Sequence, residues 1–211
     1  MTTRPRHDSI LFFLLASCLW LAACDPPIPQ IGPLPTGATL LAFGDSITHG
    51  NGAGPGESYP DVLAALSGFE VINAGVPGEV TAGGRERLAG LLDRYRPALL
   101  LLCHGGNDLL RKTGMDMMRR NLEAMIDMAH ARDIPVMLIG VPQPGLFMLE
   151  SAEVYGEVAA SYGLPFDGET LPDIYSDKRL KSDQIHPNAA GYRQLAEGVF
   201  ELMRESGVLV K

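Results

Sequence analysis

From Ala38 onward the chain alternates short apolar runs with longer stretches whose apolar residues recur every three or four positions. The runs Leu40–Phe43, Val71–Ile72, Leu99–Leu102 and Val136–Val141 contain no charged residue. That is the pattern of parallel strands buried on both faces. Helical spacing predicts helices over 60–66, 85–94, 115–132, 151–162 and 189–205. In 115–132, for instance, Met118, Leu122, Met125, Ile126 and Ala129 share one face, while Arg119, Arg120, Glu123 and Asp127 lie elsewhere. Strand–helix alternation predicts a mostly parallel sheet with right-handed crossovers, a three-layer α/β/α domain over 39–211. Ligands of such sheets sit beyond the carboxyl ends of the strands. The informative segments are therefore GDSITHG, NAGVPGEVT, HGGNDLL and PQPG after the four runs, and KSDQIHPNAAGY before the last helix.

The first residues follow a different pattern. Arg4 and Arg6 precede an apolar stretch from Ile10 to Ala23. It is shorter than the roughly 20 residues of a membrane-spanning helix, so 1–23 reads as a secretory signal peptide. Its end, LAAC, resembles a bacterial lipobox, which implies cleavage before Cys24 and lipid attachment to that cysteine. The protein would then be lipid-anchored in the bacterial cell envelope, facing the periplasm. Ordinary cleavage after Ala23, leaving a soluble protein, is the alternative. Pro26, Pro27, Pro29, Pro33 and Pro35 make 24–38 an extended tether between lipid and domain.

Composition narrows the partners. The chain of 211 residues is 46% hydrophobic and 20% charged, with a formal net charge of −8. It has no Lys/Arg-rich run of the kind a duplex-binding face needs, which argues against a nucleic-acid partner. Of three cysteines, Cys18 falls in the signal and Cys24 at the lipid position, leaving Cys103 in an apolar run. One thiol cannot form an internal disulfide, and that setting predicts a buried structural cysteine.

Acyl transfer needs a nucleophile, a base held by an orienting group, and donors for the developing oxyanion. Ser46 offers the hydroxyl, His186 the base, Asp183 the carboxylate three residues before it, and Asn107 an amide. Each has a plainer reading. Ser46 could cap a helix, Asp183 and Pro187 could mark the start of the last helix, and Asn107 could be a turn residue. Gly78 could serve only a positive φ. His49, His104 and His130 form no metal-ligand pattern such as H-x-x-x-H, and neither His49 nor His104 has a carboxylate neighbour in a familiar arrangement. No metal and no organic cofactor is expected.

Taken in order, GDSITHG, NAGVPGEVT, GGND and DQIHPN resemble the GDSL or SGNH hydrolases, particularly the small periplasmic thioesterase/lysophospholipase and arylesterase branch. The resemblance spans Thr39 to Glu205 and implies a flavodoxin-like sheet. It implies Ser46 as nucleophile, His186 as base with Asp183 as triad partner, and an oxyanion hole of the Ser46 amide, Gly78 (rather than Gly75) and the Asn107 side chain. Asp45 reads as holding the turn. The expected activity is cofactor-free hydrolysis of carboxylic esters or thioesters through an acyl-enzyme, on aryl esters, acyl thioesters, lysophospholipids or related compounds. The rival from another class is a non-catalytic α/β lipoprotein that binds a small molecule at the same rim. Leu146, Phe147, Met148 and Leu149 could wall an acyl chain or begin a core helix.

Overall fold

The computed structural model describes residues 27–143 and 150–209. The signal segment, Cys24 and Leu146–Leu149 lie outside the described residues. In chain order the elements are β1 (Thr39–Gly44), α1 (Ser46–His49), α2 (Tyr59–Ser67), β2 (Glu70–Gly75), α3 (Thr81–Tyr95), β3 (Leu99–Cys103), α4 (Gly106–Arg111), α5 (Met115–His130), β4 (Val136–Ile139), β5 (Pro142–Gln143), β6 (Glu150–Ser151), α6 (Glu153–Tyr162), β7 (Phe166–Asp167), α7 (Thr170–Ser176) and α8 (Ala189–Glu205).

Five strands form one parallel sheet in the order β2-β1-β3-β4-β7. Strand order reverses after β1, so β2 and β3 flank it, and the loops leaving β1 and β3 part there. This is the flavodoxin-like order, with its ligand crevice at that switch point. The apolar runs predicted as strands are the sheet's centre: every residue of β3 and β4 is buried, as are Leu40–Gly44 of β1. The edge strand β2 is only half-buried, and it alone of the long strands interleaves Glu70 and Asn73 with apolar residues.

The five predicted helices are present. The amphipathic stripe of α5 is buried at Met118, Leu122, Met125, Ile126 and Ala129. The structure adds what periodicity did not signal: α1, α4 and α7, of four to seven residues, the short edge strand β7, and a small antiparallel β5–β6 pair. These are too short to show a period.

The proline-rich segment does more than span a gap. From Pro27 it lies along the end of α8, where the amides of Ile31 and Gly32 donate to Ser206 and that of Leu34 to Val208. Ile28, Ile31 and Leu34 pack against the core. Proline forbids helix here, yet the extended backbone still finds partners, so its docked part belongs to the domain.

Candidate active site

Ser46 follows β1 at the switch point as the first residue of α1. Asp45, buried, caps that helix by accepting from the Ile47 amide at 3.1 Å. Burial pushes the Asp45 carboxyl pKa up. Capping by Asp45 leaves the Ser46 hydroxyl free of that task. Gly44 lets β1 close against its neighbours, since a Cβ there would sit 1.9 Å from the Cys103 carbonyl oxygen and 2.3 Å from Thr48 Oγ1. Cys103 is fully buried, as its apolar setting predicts.

His186 arrives from the loop between α7 and α8, which is braced across itself. Lys181 and Pro187 form a β-bridge, the Ser182 amide donates to the His186 carbonyl at 3.0 Å, and the Asn188 amide to Leu180 at 2.9 Å. The Tyr175 hydroxyl donates to the Ile185 carbonyl. The loop after α1 packs on this one: a Cβ on Gly52 would meet Ser182 Oγ at 2.1 Å. Across that contact His186 Nε2 lies 3.0 Å from Ser46 Oγ, and His186 Nδ1 lies 2.8 Å from Asp183 Oδ2.

The other Asp183 oxygen accepts from the amides of Ile185 at 2.7 Å and His186 at 2.8 Å. Burial pushes the Asp183 pKa up, but the hydrogen bonds from the His186 ring and those two amides outweigh it and hold it below the ordinary value. An ionised carboxylate accepts only, so the proton between them sits on His186 Nδ1 and leaves Nε2 as an acceptor toward Ser46. Asp183 does not cap α8; Asn188 does, through the Gly191 amide at 3.1 Å.

The loop after β2 is a turn in which the Glu79 amide donates to the Val76 carbonyl at 3.2 Å. Pro77 and Gly78 occupy its centre, and Gly78 has φ +77, which fits a type II turn. Gly75 serves a different purpose: a Cβ there would lie 2.1 Å from the His49 backbone nitrogen, so it lets α1 pack on β2. Asn107, in the first turn of α4, donates from Nδ2 to the Glu79 carbonyl at 3.0 Å. Asn107 also interacts with the buried Asp45 carboxylate and lines, with Ser46, the crevice at the end of β1.

That crevice is a cavity of about 240 Å³, lined by Ser46 and Asn107 with apolar walls from Ile47, Leu109, Leu110 and Val141. A larger groove of about 900 Å³ between β7, α6 and α8 shares none of its lining residues with this cavity. Ser46 and Asn107 line the smaller space and not the larger one.

Two supports went unnoticed in the sequence. Arg87 forks onto Glu79 (Nε to Oε1 2.9 Å, Nη2 to Oε2 2.7 Å) and donates onward to the carbonyls of Gly44 at 3.1 Å and Ala74 at 2.9 Å. It thereby clamps the Gly78 turn to the ends of β1 and β2. His104, fully buried, places Nε2 3.1 Å from Glu79 Oε2, so it does have a carboxylate neighbour, contrary to expectation. That pairing joins residues 25 positions apart, which adjacency in sequence cannot signal. Burial raises the Glu79 pKa, but hydrogen bonds from His104 and Arg87 and the Arg87 charge overcome it and bring it to about 2.

The second support is Asp108. It is buried and accepts from the Thr81 amide and hydroxyl, both at 2.8 Å. The residue preceding α3, Val80, has no capping side chain, so Asp108 caps α3 from the first turn of α4. Among the described residues no group of three or more His, Cys, Asp or Glu is placed to hold a metal ion.

Known proteins carry the same arrangement of chain. The profile of the GDSL-like lipase/acylhydrolase family matches residues 42–194. An esterase, TesA, of Pseudomonas aeruginosa is 33% identical over 178 residues, covering 79% of this chain and 88% of its own. The thioesterase 1/protease 1/lysophospholipase L1 of Escherichia coli K12 is 27% identical over 157 residues, 71% of this chain and 76% of its own. A crystal structure of TesA superposes with a TM-score of 0.71 at 31% identity, covering 80% of this chain and 99% of that one. The chain belongs to the GDSL-like lipase/acylhydrolase family and is a serine hydrolase acting on ester bonds.

Proposed function

We propose that Ser46 is the nucleophile of a Ser46–His186–Asp183 triad that hydrolyses acyl esters or thioesters through an acyl-enzyme. The observation that carries this reading is the unbroken relay of Ser46 Oγ, His186 and Asp183, at 3.0 and 2.8 Å. His186 Nε2 takes the hydroxyl proton as Oγ attacks the carbonyl carbon, and the carbonyl oxygen becomes an oxyanion. Donors for it are the Asn107 side-chain amide, the Gly78 amide, and the Ser46 amide, which begins a helix and has no intrahelical acceptor. His186 then gives its proton to the departing alcohol or thiol. Water, deprotonated by the same ring, attacks the acyl-enzyme and frees Ser46. Asp183 holds the tautomer and stabilises the charged imidazole without itself taking the proton.

The cavity beside Ser46 favours an acyl chain of short to medium length. It measures about 240 Å³ behind mostly apolar walls. Thioesters and lysophospholipids remain within this reading because one relative is named for both activities. The same reading lipid-anchors the protein at Cys24 in the bacterial cell envelope; loss of labelled fatty acid from a Cys24→Ala chain tests it.

The decisive assay is hydrolysis of p-nitrophenyl esters from acetyl to palmitoyl by the wild type and Ser46→Ala. Wild-type activity peaking at one chain length, with an inert and folded variant, supports the triad and sizes the pocket. A Ser46→Ala variant as active as wild type removes Ser46 from the mechanism.

A further inference from the structure

Among the described residues, six large apolar side chains are at least 40% exposed: Leu66, Val76, Leu110, Met115, Met117 and Ile185. In a parallel α/β domain the helices run back against the strands, so helix N-termini gather at the carboxyl ends of the strands. Five of the six lie at that end. Val76 follows β2, Leu110 is in α4, Met115 and Met117 open α5, and Ile185 precedes α8. Scattered exposed apolar residues need no explanation, but a group around one opening does. Leu110 and Ile185 line the Ser46 cavity itself. Leu109, which also lines it, continues with Lys112 and Met115 into a neighbouring groove of about 320 Å³.

The charge at this corner is opposite to that of the whole. In a chain of net charge −8, the stretch Leu109–Arg120 carries Arg111, Lys112, Arg119 and Arg120 against one acid, the exposed Asp116. Arg119 pairs with Glu157. Arg111, Lys112 and Arg120 are exposed, with no carboxylate partner among the described residues. Leu110 beside Arg111 and Lys112, and Met117 with Arg120 Nη2 3.9 Å from its Sδ, meet the two demands of an anionic lipid surface, apolar insertion and charge attraction. The apolar run also opens directly onto the cavity that would receive an acyl chain.

We propose that the corner formed by α4 and the start of α5 docks on the surface of an anionic lipid aggregate, seating the mouth of the Ser46 cavity at that surface. This contact is separate from any attachment through Cys24. It goes beyond the esterase reading by saying where the substrate is presented.

The test uses the full-length chain, so that whatever residues 1–26 contribute is common to all samples. Hydrogen exchange is followed with phosphatidylcholine vesicles that contain or lack phosphatidylglycerol. The wild type is compared with Met115→Ser/Met117→Ser and with Lys112→Gln/Arg120→Gln, none of which touches the proposed triad or oxyanion donors. The expected result is slower exchange across 109–120 with anionic vesicles only, lost in both variants. Exchange unchanged there, or slowed equally in the variants, overturns the proposal.

A parallel assay compares p-nitrophenyl butyrate in solution with p-nitrophenyl palmitate carried in the same vesicles. The variants are expected to keep the soluble rate and lose about tenfold or more on the vesicle-borne ester. Failure of the esterase reading would instead abolish the soluble rate in the wild type, and the exchange measurement would still judge the docking.

Discussion

The side-chain amide of Asn107 donates to the backbone carbonyl of Glu79 across 3.0 Å, joining the loop after β3 to the loop after β2. These two loops carry the proposed side-chain and glycine donors, so the bond sets their separation. Asn107→Ala removes the proposed oxyanion donor together with its bond to Glu79. The expected result is a kcat lower by about 10²–10³ with an unchanged circular dichroism spectrum. A kcat within error of wild type would take Asn107 out of the mechanism.

Glu79 couples this loop to pH. Its carboxyl is depressed from the ordinary 4.5 to about 2. A depressed acid contributes stability above its unfolded pKa and loses it as pH falls toward the folded one. Glu79→Gln keeps the shape and removes the charge, and is expected to cost on the order of 2 kcal/mol at neutral pH. The gap to wild type in urea unfolding should close between about pH 4.5 and pH 2. A gap that stays constant across that window would show that the carboxylate charge is not what holds the turn.

Gly84 tests the buried side of the same cluster. A Cβ there would lie 2.4 Å from His104 Nε2 and 3.2 Å from Phe43 Cε1. Neither ring has space to yield, because both residues are fully buried. Gly84→Ala should therefore push His104 off Glu79 and destabilise the fold by about 1–3 kcal/mol, the usual cost of overpacking. Helix propensity alone would make this substitution favourable by up to about 1 kcal/mol, so the sign of the change decides between the two effects.

Asp108 is a positioning residue for both loops. Its carboxylate caps α3 through Thr81 and also accepts from the Thr113 hydroxyl at 3.0 Å. Asp108→Ala strands the two Thr81 donors in a buried place, at about 1–3 kcal/mol for the group. Thermal unfolding should record the loss, and kcat should fall with it because Asn107 is the adjacent residue.

The docked proline-rich segment predicts a difference between two truncations. A chain beginning at Ala38 loses the Ile31 and Leu34 hydrogen bonds and the packing of Ile28, Ile31 and Leu34. Its melting temperature should fall by several degrees, since about 1 kcal/mol shifts Tm by roughly 2–4 °C at this size. A chain beginning at Pro27 keeps those bonds and that packing and is the reference for the fall. Equal melting of both truncations would return 27–37 to the status of a free spacer.

By itself the sequence determined what depends on local pattern. Short apolar runs bounded by turn-forming residues suit strands covered on both faces, which made β1, β3 and β4 legible, and the long amphipathic stripes did the same for α3, α5 and α8. The polar segments after the strands and before the last helix marked where to look, and it was the resemblance of their ordered motifs to the GDSL or SGNH hydrolases that singled out Ser46, Gly78, Asn107, Asp183 and His186. Tertiary structure decided the rest. Glu79, Arg87 and His104 looked like unrelated residues of a turn, a helix and a strand end, and only the approach of β1, β2 and β3 makes them one cluster. Asp108 reads as a first-turn acid of its own helix but caps another, because α3 begins without a capping side chain of its own. The prolines showed that 27–38 could not be helix or inner strand, but not that it would lie along α8. Pairing between distant segments is fixed by which backbone groups remain unsatisfied once the chain is compact, and that quantity exists only in three dimensions.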